Sequence, residues 1–185
     1  MNWLQRLINR DTIEVEVIKN LPKYEPILRR GSLNASGLDL KAISIQGMYN
    51  CNSLKMHDDW VENLNNKFQS TGNLYIKPGE RVLLGTNVKV SMPKGVEAEI
   101  RSRSSVPYKR GLIVANGVGT IDNDYIGELK VALINTSSTT VKIVMGERIA
   151  QLLFKKSYIP KLKYVKNIFK RTKRGIGGFG SSGKM

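Results

Sequence analysis

The residues best equipped for chemistry fall into five short stretches of a 185-residue chain. ASGLDLKA (35–42) puts a small-residue turn before Asp39, between Leu38 and Leu40. IRSRSSVPYKRG (100–111) groups Arg103 with the hydroxyls of Ser104 and Ser105. That donor set suits phosphate oxygens, which a guanidinium can engage bidentately. NGVGTIDNDYIGE (116–128) sets glycines, Gly119 among them, after Asn116, ends an apolar run in Asp122 and adds Tyr125. An aspartate held there could act as a general base on water, and the tyrosine could offer a flat face to a sugar. GERIAQLLF (146–154) is a turn and an apolar strand with Gln151 as its polar anomaly. RGIGGFGSSG (174–183) carries Arg174, Phe179, Gly180, Ser181 and Ser182. Its glycines let backbone N–H groups approach phosphates, and Phe179 could stack on a base. Each stretch alone also has a plainer reading: a solvated turn, a basic loop, a hairpin, a solvent-facing amide, a mobile tail.

Charge narrows the choice of partner. The net charge is +15, and residues 155–185 hold ten Lys or Arg with no Asp or Glu, which leaves 15 − 10 = +5 for residues 1–154. A basic arm favours phosphate-rich partners, whether nucleotide, nucleic acid or anionic membrane. The GGFG stretch lacks the lysine and the strand-to-helix setting of a Walker loop, and it opens no βαβ unit. One cysteine, Cys51, excludes an intrachain disulfide; with His57 it makes too small a set for a protein metal site. Both fit a reducing, cytoplasmic setting. No apolar run approaches the roughly 18 residues of a membrane span, and the opening MNWLQRLINR is too short and polar for a secretory signal.

The elements that must position these residues read as short strands. TIEVEVI (12–18) alternates Ile13, Val15 and Val17 with polar neighbours, as a half-buried strand does. Residues 74–102 supply three more strands, broken at Pro78-Gly79 and Pro93-Lys94-Gly95, and 111–122, 127–137, 139–144 and 147–154 continue the pattern. Many short strands without a long helix between them predict an all-β sandwich or barrel-like domain over 12–154. Residues 1–11 form an N-terminal extension, and 155–185 a basic linker and glycine-rich arm. An Asn-rich insertion at about 48–73 lacks alternation; Trp60, Val61, Leu64 and Phe68 share one face of a short helix there, with Asp58 or Asp59 as its cap.

Taken in order, the five stretches resemble the five motifs of the homotrimeric dUTP pyrophosphatases, the dUTPases, from about Ile13 to Gly183. The resemblance implies a β-sandwich of jelly-roll (β-clip) type with a flexible C-terminal arm, and hydrolysis of dUTP to dUMP and pyrophosphate by water attack at the α-phosphorus. It implies Mg²⁺ held mainly by the triphosphate, with Asp39 orienting its waters. Arg103, Ser104 and Ser105 would bind phosphates, Ser104 near the leaving α–β oxygen, and Gln151 would support the α-phosphate and metal-bound water. Asn116, with Gly119 and nearby backbone, would hold uracil. Asp122 would bind the 3′-OH and activate water, and Tyr125 would pack on the deoxyribose and exclude a 2′-OH. Arg174 would reach the γ-phosphate, Phe179 would cover the uracil, and Gly180, Ser181 and Ser182 would close on the phosphates. Three sites per trimer, each shared by all three chains, are implied as well.

Three features depart from the family pattern. Ser102 stands where proline is usual, which predicts a less rigid entry to the second motif. The 48–73 insertion is a candidate surface for a protein partner. The cationic run 155–174 is a candidate for weak nucleic-acid association and for steering the anionic substrate. The nearest rival, a dCTP deaminase or bifunctional relative, shares the fold and the RSS-type motif but usually has Phe where Tyr125 stands, and the aromatic arm favours the dUTPase. A dUTPase with an added regulatory, protein-binding role is the other alternative.

Overall fold

A computed structural model describes residues 12–19, 21, 23, 28–49, 58–168, 172 and 174–178, the side chains of 58–60 excepted. Among the described residues thirteen strands form in chain order, with two helices, α1 (Asp58–Thr71) and α2 (Ser105–Arg110). A five-stranded antiparallel sheet has the order β10 (Gly119–Ile121), β8 (Val96–Ser102), β13 (Arg148–Lys156), β3 (Leu38–Lys41), β2 (Arg29–Arg30). A four-stranded sheet has the order β4 (Ser44–Tyr49), β6 (Arg81–Gly85), β11 (Lys130–Asn135), β9 (Leu112–Val114). Two ribbons complete the domain: β1 (Glu14–Val17) with β7 (Val88–Ser91), and β5 (Asn73–Ile76) with β12 (Val141–Val144). No helix among the described residues is long and apolar enough to cross a membrane.

Alternation builds the core. In the four-stranded sheet Val82 faces Leu133 and Leu84 faces Val131, all buried, while Arg81 and Lys130 point the other way. In the five-stranded sheet Leu38, Leu152 and Ile100 line up across three strands. Both sheets contribute to one apolar cluster, the sandwich predicted from the strand pattern. Buried Asn135 is fully engaged: its amide donates to the carbonyls of Ile76 and Thr139, and its oxygen accepts from the N–H and hydroxyl of Ser137.

Several local expectations change. Residues 74–102, read as three strands, form β5 to β8 with β5 starting at Asn73. The strand predicted at 12–18 does form, but all four residues of β1 are exposed, while the β7 residues opposite Val15 and Val17, Val90 and Val88, are the ones buried in the core. The stretch after Arg103 winds into α2, with Pro107 in its first turn, where a missing N–H costs nothing, and Gly111 closing it at a φ of 66°.

The insertion is anchored in the domain. Phe68 on α1 is fully buried in the core cluster, with Val61 and Leu64 packed against it. The Asn65 side-chain oxygen accepts from the Ile45 N–H at 2.8 Å, and Gln69 donates to the Ile43 carbonyl at 2.9 Å, so the helix also satisfies the chain entering β4. Phe68→Ala is therefore expected to lower the unfolding free energy by about 3–5 kcal/mol, measured by denaturant titration. A loss below about 1 kcal/mol would show that α1 is dispensable to the core.

Candidate active site

Three of the five motifs meet on one face of the five-stranded sheet. Directly opposed residues on neighbouring strands share a face, and Asp39, Gln151 and Arg101 are opposed across β3, β13 and β8. The face opposite them carries Leu38, Leu152 and Ile100 into the core. A regular β13 would place Arg148 on the wrong side, since it lies three residues from Gln151. The pairing slips between Arg148 and Ala150, so Ile149 and Ala150 are both buried and Arg148 returns to the face of Asp39.

Asp39 is 6% exposed and is the hub. Its Oδ1 accepts from Arg103 Nε at 2.7 Å and its Oδ2 from Arg148 Nη1 at 3.2 Å. Arg103 Nη1 also donates to the Arg148 carbonyl at 3.3 Å. A carboxylate taken this far out of water costs free energy unless paired, and here each oxygen has a cation. Arg148 was invisible as a site residue in the sequence, where a charge at a strand start reads as solvated. The signal that could have found it is its position three residues before the anomalous Gln151.

Gln151 is held from both sides. Its amide donates to the Ser102 carbonyl at 3.0 Å. A side chain at Gly37 would put a Cβ 2.3 Å from the Gln151 Oε1, so the first motif needs glycine there to admit the amide. Ser102, expected to loosen the loop, is tied twice: its carbonyl takes Gln151 and its hydroxyl accepts the Val114 N–H at 3.1 Å. Beyond it, Ser104 and Ser105 are exposed at the start of α2, and the Ser104 hydroxyl makes no helix-capping bond. Arg110 pairs with Glu147, which fixes the far end of α2 to the turn before β13.

The electrostatics of this face are lopsided. Glu99 accepts from Lys155 at 2.7 Å and pairs with Arg101. The Lys155 hydrogen bond first, and the Arg101 contact after it, hold the Glu99 carboxyl below its usual range despite partial burial. At Asp39 one carboxylate is shared by two guanidiniums, those of Arg103 and Arg148. Burial first, then the Arg148 and Arg29 guanidiniums, push the Lys41 ammonium below its ordinary pKa against the opposing pull of Asp39. A group of cations around one shared carboxylate is a receptor for an anion.

The third motif stands apart. Asn116 lies in the turn between β9 and β10, exposed, and a side chain at Gly119 would touch Ile100 and the Asn116 amide. Gly117 takes a φ of 72° to make that turn. Asp122 follows β10, exposed, and its carbonyl accepts the Tyr125 N–H at 3.1 Å. The Tyr125 hydroxyl donates to the Glu128 carbonyl at 2.9 Å, and its ring lies over Gly127, where a Cβ would come 2.6 Å from the ring. Ile121 faces Ala98, so Asp122 comes level with Glu97, six residues before Arg103 and about 20 Å along the sheet from the arginine cluster. One chain does not unite the two halves. Arg174 is exposed and bonds back to the Gly177 carbonyl at 2.9 Å; Phe179, Gly180, Ser181 and Ser182 lie outside the described residues.

Comparison with known proteins gives the same assignment from several sides. The dUTPase family model matches residues 68–183, which spans the second to fifth motifs. A deoxyuridine 5'-triphosphate nucleotidohydrolase of Wolbachia pipientis subsp. Culex pipiens is 34% identical over 181 residues, 96% of this chain and 100% of that protein. Its counterpart from a Hydrogenobaculum species is 47% identical over 112 residues, 58% of this chain and 74% of that protein. Among solved structures, the Staphylococcus bacteriophage 80alpha dUTPase with dUPNHPP superposes with a TM-score of 0.69 at 24% identity, covering 94% of this chain and 99% of that one. With a matching fold, a family model over most of the motifs and a full-length relative, the chain belongs to the dUTPase family.

Proposed function

We propose that this chain is a dUTP diphosphatase, hydrolysing dUTP to dUMP and pyrophosphate by attack of water at the α-phosphorus. The observation that carries the reading is the Asp39–Arg103–Arg148 cluster with Gln151 beside it, a surplus of fixed cations where a triphosphate would lie. Charge that develops on phosphoryl oxygens is best met by donors already in place, and these are held by cross-strand bonds before any substrate arrives. Arg103 and the hydroxyls of Ser104 and Ser105 bind phosphate oxygens. Arg148 acts through others: it fixes the Asp39 carboxylate and, through its carbonyl, the Arg103 guanidinium. Gln151, fixed to Ser102, supports the α-phosphate and the metal-bound water.

Asp122 is the general base. In the folded chain it is exposed and remote from Arg103, which supports a site completed by the third motif of another copy in a homotrimer. Tyr125 packs on the deoxyribose, and Asn116 with the backbone about Gly119 reads uracil. A pocket fitted to uracil rejects thymine by its methyl group and cytosine by its inverted donor and acceptor pattern. Phe179 and the arm residues Arg174, Gly180, Ser181 and Ser182 close over the bound nucleotide.

The donor set fits Mg²⁺ delivered by the substrate. Both Asp39 oxygens are engaged by arginines but keep lone pairs, which suits hydrogen bonds from metal-bound water better than direct ligation. When bound, the ion would supply neutralisation of the phosphate charge. After β13 the chain is irregular, and residues 158–168 are exposed, with Lys161, Lys163 and Lys166 interleaved with Tyr158 and Tyr164. This segment steers the anionic substrate and offers a weak hold for nucleic acid. A protein partner on the 48–73 insertion would meet the outward face of α1.

Pyrophosphate release compared across dUTP, dTTP, dCTP and UTP, with Mg²⁺, is expected to be confined to dUTP. Stoichiometric ammonia from dCTP would overturn the plain dUTPase reading in favour of a deaminase. Asp122→Asn is expected to lower kcat by about two to four orders of magnitude while leaving the melting temperature unchanged, since the side chain is exposed. Turnover within a few-fold of the parent would remove Asp122 as the base.

A further inference from the structure

We propose that Arg29 is a further phosphate-binding residue, forming with Arg148 and Lys41 an anion subsite on the β2 side of Asp39. Resting on the dUTPase reading, this subsite holds the distal phosphates of bound dUTP and the pyrophosphate made from them. None of the five motifs contains Arg29.

The register of the smallest strand carries the argument. β2 has two residues, Arg29 and Arg30, and pairs with β3 so that Arg29 opposes Asp39 and Arg30 opposes Leu38. Opposed residues share a face, so Arg29 joins the row that continues through Asp39, Gln151 and Arg101. Arg30 turns to the other side, where its Nη1 donates to the Ala35 carbonyl at 2.9 Å and braces the loop before Asp39. Arg29 is exposed, and its side chain makes no hydrogen bond or ion pair among the described residues. Two neighbouring arginines thus divide into one that shapes the motif and one that faces the site.

Charge arithmetic gives the ligand class. Among the described residues the guanidiniums of Arg29, Arg103 and Arg148 stand about Asp39, three to one carboxylate, and Asp39 is already bonded by Arg103 and Arg148. Arg29 is one strand from Asp39 and two from Gln151, about 10 Å across the sheet from the latter. A triphosphate anchored at its α-phosphate near Gln151 and Arg103 extends toward that edge. Like charges are crowded there: burial first, and then the Arg148 and Arg29 charges, lower the Lys41 basicity, and a ligand with several negative charges relieves that crowding more than a monophosphate can. The guanidinium offers paired donors to one phosphate group.

The test is calorimetric titration of the full-length protein with inorganic pyrophosphate and, separately, with dUMP. Arg29→Gln is expected to weaken pyrophosphate binding about fivefold or more and to raise the KM for dUTP similarly. Binding of dUMP should stay within twofold, and Arg29→Lys should recover part of the pyrophosphate affinity. Pyrophosphate affinity within twofold of the parent in Arg29→Gln, or no measurable pyrophosphate binding by the parent, would overturn the proposal. Failure of the dUTPase reading looks different: the parent would bind pyrophosphate through Arg29 yet release none from dUTP.

Discussion

The pairing of one buried carboxylate with two arginines organises the polar face of the five-stranded sheet. Asp39 takes Arg103 from the loop after β8 and Arg148 from the start of β13, so three strands are locked at the height where phosphate chemistry would occur. Burial makes the arrangement demanding: an unpaired carboxylate there would be costly, and two unpaired guanidiniums would repel. The neighbouring contacts follow from it. Gln151 is opposite Asp39 and lies against Gly37, Ser102 accepts Gln151, and the Arg148 carbonyl steadies Arg103. Groups from distant parts of the chain hold each other in a geometry that none could keep alone.

The backbone makes this possible with a small irregularity. A perfectly regular β13 would face Arg148 and Gln151 to opposite sides. The slip at Ile149 adds a residue to the strand, buries both Ile149 and Ala150, and brings the arginine back beside the aspartate. The same sheet separates chemistry by strand end. The residues proposed to bind phosphate gather where β8 ends, whereas β10 delivers Asp122 beside the start of β8. That division sets the two groups of motif residues at opposite ends of β8.

How much of this was legible in the sequence depended on the kind of signal. Strand alternation disclosed the sandwich, because period-two burial is imposed by the pleat itself. Asp39 and Gln151 stood out as polar residues within apolar runs, and motif order gave them roles. Arg148 and Arg29 did not stand out, since a charge at a strand end is ordinarily solvated and only register reveals what it opposes. Val15 and Val17 show the reverse failure: their alternation correctly marks a strand, yet they are 48% and 41% exposed, because periodicity reports a face and not what covers it. Helix α2 was hidden by brevity and by Pro107, a residue that reads as a breaker but is tolerated in a first turn. Asp122's distance from Arg103 is a property of topology, and nothing in the spacing along the chain encodes it.

Ser102 carries a last consequence. Its hydroxyl, rather than a neighbouring strand, receives the Val114 amide proton. β9 and the end of β8 before the Arg103 loop are therefore joined by a side-chain bond that can open without unzipping either sheet. Exchange of the Val114 amide with solvent deuterium is thus a natural gauge of that loop, separate from global unfolding, because Val114 is otherwise buried. Where a proline would fix the loop through a ring, this chain fixes it through a latch, and the latch has a proton that can be watched.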